Sequence, residues 1–208
     1  MKLRFCAKFH HSGIKAVAHC RNNQPDVWSC LCRGLAISSG LISGFISLYF
    51  YHLSNKKAIK RFCVDCEDLW NSGLKTDVLP VLEMIFNCQI EDTILCYVGL
   101  YPTYLRSIRG HYFLLPYGVS NNRLREVIIH ELSHFYCYKA CGNRFTSDKL
   151  WRLSESIVPY MLKSKFNIDC SEFSYAGNWS NPEKALFRSW ANGEISFEKF
   201  LDSLRQYE

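Results

Sequence analysis

Apolar residues recur at helical spacing through Ala58, Ile59, Phe62, Cys66, Leu69 and Trp70, and the run stops at Asn71-Ser72-Gly73. A second helix is predicted from Asp77 to Phe86. Thr93-Ile94-Leu95-Cys96-Tyr97-Val98 is a short, nearly continuous apolar run, the pattern of a buried strand, and Tyr101-Pro102 marks its end. Residues 111–117 read as another strand. Leu124, Val127, Ile128, Leu132 and Phe135 then return to helical spacing. Ser120 or Asn121 can cap that helix, and Gly142 stands where a glycine ends one. Another helix is predicted to start near Asp148, capped by Thr146 or Ser147. After a loop at Tyr175-Ala176-Gly177-Asn178, Asn181-Pro182-Glu183 gives a cap with proline at the first helical position, and Asn192-Gly193 closes that helix. Phe197, Phe200, Leu201 and Leu204 make a last amphipathic helix. The order predicts an α+β domain over 56–208, mostly helical, with a small sheet ahead of the long helix after residue 120.

The front of the chain follows other patterns. Residues 1–33 are polar, cysteine-rich and without clear periodicity, which reads as an arm. Residues 34–53 carry no formal charge and are long enough to span a bilayer. Their three glycines, four serines and His52 weaken that reading, and a buried helix is the competing one. If the segment is a membrane anchor, Lys56, Lys57, Lys60 and Arg61 after it outweigh Arg21 and Arg33 before it, which puts the C-terminal region in the cytoplasm. The run starts too late for a secretory signal peptide.

Composition narrows the choice of class. The chain has 208 residues, 48% of them hydrophobic, enough for one real core and not for a disordered protein. The net charge of +6 is scattered, and no module interleaving bases with aromatics appears, so nucleic acid is not an expected partner. The eleven cysteines are odd in number and fit no disulfide framework, which favours a reducing compartment. Cys88, Cys96 and Cys137 sit in apolar stretches and read as core residues. A structural zinc knuckle drawn from Cys6, His10, Cys20, Cys30 or Cys32 is a weak candidate.

The chemistry concentrates at His130-Glu131-Leu132-Ser133-His134. On a helix, His130 and His134 project from one face and can bind one Zn²⁺. Glu131 is placed to take a proton from a water that the metal has made acidic, so the pattern names metal-assisted amide hydrolysis. Val127-Ile128-Ile129 and Phe135-Tyr136 flank the motif without charge, as a rigid, half-buried metal helix requires. A catalytic zinc needs three protein ligands and one open position. Glu155, two turns into the next helix and joined to the first by a short loop, is the leading third ligand. Asp148, Asp169, Glu172 and His111 are the alternatives.

Over about residues 121–163 the chain resembles the gluzincin type of zinc metallopeptidase, in which an H-E-x-x-H helix is followed about twenty residues later by a helix carrying a ligand Glu. The resemblance implies a minimal zincin-like domain, one catalytic zinc on His130, His134 and Glu155, and Glu131 as general base and acid. The pattern with a third His six residues after the second does not fit, because position 140 is Ala. Several gluzincins also carry an Asp one turn after the third ligand, and here that place is Pro159, expected to kink or end the helix. Glu126, Asp148 and Ser156 are candidates to orient the zinc histidines instead. Tyr160 and His111 are candidate transition-state stabilisers, with Tyr112 and Tyr117 near the motif. The strand at 111–118 could present an edge to a substrate peptide, with Pro116 at the edge or end. The expected function is a zinc metallopeptidase acting on a peptide or protein. The alternative is a non-catalytic, zinc-containing peptide-binding or regulatory module, tethered to a membrane if 34–53 is an anchor.

Overall fold

Lys2 and Arg4 alternate with Leu3 and Phe5 at the start of the chain, and this period of two makes a strand. The structure is a computed structural model describing residues 1–35, 39–102, 104–168 and 179–207. It divides into two compact units, one of Met1–Leu74 with Glu91–Leu124 and one of Lys75–Ile90 with Arg125–Glu208. The division falls at neither 33 nor 56, the boundaries expected from composition.

In the first unit, β1 (Lys2–Cys6), β2 (Thr93–Gly99), β3 (Arg106–Ser107) and β4 (Tyr112–Pro116) form one sheet in the order β1-β2-β4-β3. β2 runs parallel to both β1 and β4, while β3 is antiparallel to β4. Phe113, Leu114 and Leu115 are fully buried, the pattern of a strand covered on both faces. β4 lies between β2 and β3, with β3 pairing only its first two residues, Tyr112 and Phe113. Phe113 and Tyr112 face Arg106 and Ser107 of β3, and Leu114 N donates to the Leu105 carbonyl at 2.7 Å.

The expected N-terminal arm is instead built into this unit. Besides β1 it supplies α1 (Gly13–Asn23) and α2 (Pro25–Leu35). Val17, Cys20, Trp28 and Cys32 pack with Leu48 in a buried cluster, and Trp28 Nε1 donates to the Ser39 carbonyl at 3.0 Å. The chain's polar residues there are the outward halves of two short amphipathic helices, which composition alone averages away.

Of the two readings of 34–53, the membrane anchor finds no support among the described residues, which leave out 36–38. Within 34–53 the described helix is α3 (Leu41–Ser54), with 14 residues. At 1.5 Å per residue it is about 21 Å long, against the roughly 30 Å of a bilayer core. Among the described residues no helix is long and apolar enough to cross a membrane. α4 (Lys56–Leu69) follows and buries Ile59 and Cys66 of the expected apolar face together with Cys63, while Ala58 is exposed.

The second unit contains α5 (Lys75–Phe86), α6 (Asn121–Cys141) from Arg125 onward, α7 (Ser147–Phe166), α8 (Asn181–Ala191) and α9 (Phe197–Leu204). The cap of α8 lies one residue earlier than expected: the Ser180 hydroxyl accepts from Glu183 N, and the Glu183 carboxylate accepts in return from Ser180 N. The loop expected at Tyr175–Asn178 lies outside the described residues. An aromatic network ties the helices together. Phe86 of α5 stacks on Tyr136 of α6 and meets Phe197 of α9 edge-on. Trp190 of α8 packs on Tyr160 of α7 and stacks on Phe200 of α9. Such pairs add to the energy of burying large rings.

Phe200 is fully buried at the junction of α8 and α9. Phe200→Ala is expected to cost about 3–5 kcal/mol, read as a shift in the denaturant transition that unfolds this unit. The cysteines give a second prediction. Cys30 is exposed, whereas burial pushes the Cys63 and Cys66 thiols up to about 12, with neighbouring thiols and carboxylates adding to the shift. Because the thiolate is the nucleophile, an alkylating reagent near pH 8 should label Cys30 in the native chain and leave Cys63 and Cys66 untouched until it unfolds. Peptide mass mapping checks this.

Candidate metal centre

α6 forms because Ser120 caps it and Gly142 ends it. Arg123 N donates to the Ser120 hydroxyl at 3.3 Å, and Gly142 adopts φ +56°, a left-handed conformation that suits glycine. Between these ends Val127, Ile128, Ile129, Leu132, Phe135 and Tyr136 are buried. His130 and His134 are one turn apart on this anchored helix. Their Nε2 atoms lie 3.1 Å apart, and the ring centroids 4.8 Å.

α7 starts after a short loop, with the Thr146 hydroxyl accepting from Lys149 N. Glu155, two turns in, is 7% exposed and brings Oε1 to 3.8 Å from His134 Nε2. One donor atom each from His130, His134 and Glu155 lies within 4.8 Å of the others. Two nitrogens on a tetrahedral zinc, at bonds of 2.0–2.1 Å, are about 3.3 Å apart. The histidine pair already meets that spacing, whereas the Glu155 carboxylate, 3.8 Å from His134 Nε2, has to move inward to reach it. Two imidazoles and one carboxylate are a donor set that could hold a metal ion, with a fourth position left open on a tetrahedral one. His134 is fully buried while His130 is half-buried, so the site has a sealed side and an accessible side. Glu131, adjacent to His130, is 3% exposed.

The α6–α7 loop is held from outside. Arg144 pairs with Glu198 and lies 3.9 Å from Asp202, both on α9. Lys149 is buried and donates from Nζ to the Leu204 carbonyl at 3.2 Å, with Glu183 of α8 at 3.6 Å. Sequence reasoning missed both cations, which belong to no motif and read as solvated charges.

Among the described residues, the group of three or more His, Cys, Asp or Glu side chains able to hold an ion is His130, His134 and Glu155. The knuckle considered for Cys6, His10, Cys20, Cys30 and Cys32 does not assemble. Asp148 is exposed in the first turn of α7 and is not in the group. Asp169 and Glu172 lie outside the described residues. His111 belongs to the other unit, 3.6 Å from Asp92. Tyr160 is turned elsewhere: its hydroxyl donates to the Ala191 carbonyl at 2.6 Å and its ring packs on Phe187 and Trp190. Five residues beyond Glu155, it sits about 140° around the helix. The role foreseen for Tyr160 as a transition-state stabiliser is therefore not supported. Ser156 spends its hydroxyl on the Arg152 carbonyl at 2.9 Å. Glu126 stays half-buried one turn before His130.

Pro159 neither ends nor breaks α7, which continues to Phe166. Its cost is the one N–H it cannot offer to the carbonyl of Glu155, four residues back. Val158, Met161 and Leu162 are buried around it and keep the helix in place.

Elemental analysis of the zinc-loaded chain should find one zinc. His134→Ala and Glu155→Ala should each weaken binding by more than roughly a hundredfold, beyond the loss typical of an outer-shell partner, whereas Glu131→Gln should retain the metal. Equal zinc content in all four proteins would remove the site. No protein-family model matches the chain, and no curated protein or solved structure does either, so the chemistry of the centre is argued from its own residues.

Proposed function

We propose that the chain is a zinc-dependent peptidase with a zincin-like catalytic centre. The observation that carries this reading is the convergence of His130, His134 and Glu155 beside the buried Glu131. Two neutral imidazoles and one carboxylate suit zinc, and the neighbouring carboxylate is the group that a purely structural zinc site does not need. A zinc ion held there supplies Lewis acidity, lowering the pKa of water and polarising a carbonyl.

The remaining work falls to the protein. His130 and His134 are fixed by the buried face of α6, so their donor atoms need little reorganisation to bind. Glu155 comes toward them from α7 and would be the third, negatively charged ligand. Glu131 accepts the proton of the attacking water as the new C–O bond forms. It then delivers that proton to the amine nitrogen as the C–N bond breaks, so one carboxylate serves as base and acid. Its burial keeps bulk water from competing for the proton. The substrate class is a peptide or protein.

Incubation of the full chain with a quenched-fluorescence peptide library tests the proposal. Cleavage should stop on chelation and return with zinc, and Glu131→Gln should lose about 10²–10⁴-fold in rate while still holding the metal. Cleavage at the wild-type rate in Glu131→Gln would refute the mechanism. Tight zinc binding with no cleavage of any peptide would point instead to a metal-containing recognition module.

A further inference from the structure

α3 is oriented against the usual rule for a surface helix. Gly44, Leu48 and His52, four residues apart, form its buried side. The opposite side carries Ile42, Ile46, Phe50 and Leu53, which are 43% to 66% exposed. Tyr49 flanks the same side and is also exposed. A surface helix ordinarily turns polar residues outward. An exposed apolar stripe of this length marks an interaction site.

The charges around the stripe have one sign. Lys56, Lys57, Lys60 and Arg61 are all exposed in the first two turns of α4, directly after α3. No Asp or Glu occurs in the chain between Asp26 and Asp65. An outward apolar side with aromatic residues, followed at once by four exposed cations, matches a surface that is apolar beneath and anionic above.

We propose that α3 and the start of α4 dock on the surface of an anionic lipid bilayer. The apolar side of α3 enters the boundary between headgroups and acyl chains, and Tyr49 keeps its hydroxyl in the wet layer. Lys56, Lys57, Lys60 and Arg61 take the anionic headgroups. The helix lies in the interface rather than across it, as its length dictates. The inference does not depend on the metal centre, and its test reads binding rather than hydrolysis.

Co-sedimentation of the full chain with vesicles tests it, comparing phosphatidylcholine alone with phosphatidylcholine containing phosphatidylserine. The chain should pellet with the mixed vesicles, stay in solution with the neutral ones, and be released by high salt. Ile46→Ser with Phe50→Ser, and separately Lys56→Glu with Lys60→Glu, should each reduce partitioning by roughly tenfold or more. Circular dichroism should match the wild type in both. If the apolar pair disturbs folding, the charge pair and the salt titration decide alone. No pelleting, equal pelleting with neutral vesicles, or undiminished pelleting of the charge pair would overturn the proposal. So would a dimer that forms without lipid and is broken by Ile46→Ser with Phe50→Ser, since the stripe would then serve a second copy of the chain.

Discussion

Three donor atoms on two different helices can share one ion only if the helices hold their facing side chains to within about half an ångström. His130 and His134 meet this through α6 alone, because one helical turn fixes their separation. Glu155 meets it only if α7 keeps its place beside α6. Three features enforce that: the short loop after Gly142, the grip of Arg144 and Lys149 on α8 and α9, and the aromatic network from Phe86 through Tyr136, Phe197, Phe200 and Trp190 to Tyr160. The rings contribute no chemistry to the metal. They pack α7 against its neighbours and so keep Glu155 near His134.

The parts of the site that could be read from the sequence are those governed by local geometry. The two histidines follow from helical periodicity, and Glu155 follows from a capped helix after a short loop. What escaped sequence reading depends on distant partners. Tyr160 looked available until Ala191, Phe187 and Trp190 were brought against it. Pro159 looked like a helix end, but buried neighbours outweigh the one hydrogen bond it forfeits. Arg144 and Lys149 looked like ordinary surface charges because their partners come some fifty residues later.

The same division runs through the fold. β2, α4, α6 and α9 announce themselves by period and by caps. β1 does so only weakly, because its alternation of Lys2 and Arg4 with Leu3 and Phe5 is four residues long and the strand is completed by the parallel pairing with β2, about ninety residues away. α3 was legible as apolar and misleading as to why. Its hydropathy is shared between a buried side, Gly44, Leu48 and His52, and an outward side that the fold leaves uncovered. Mean hydropathy cannot separate those two halves, whereas the placement of each side chain does.

The central claim is that one ion is held by two imidazoles and one carboxylate in a chain that also contains eleven cysteines. X-ray absorption at the zinc edge of the loaded protein separates these chemistries, because zinc–nitrogen and zinc–oxygen bonds of about 2.0–2.2 Å scatter differently from zinc–sulfur bonds of about 2.3 Å. The account predicts a four-coordinate shell of nitrogen and oxygen with the outer-shell signature of two imidazole rings. A shell containing sulfur, or one without imidazole, would contradict it.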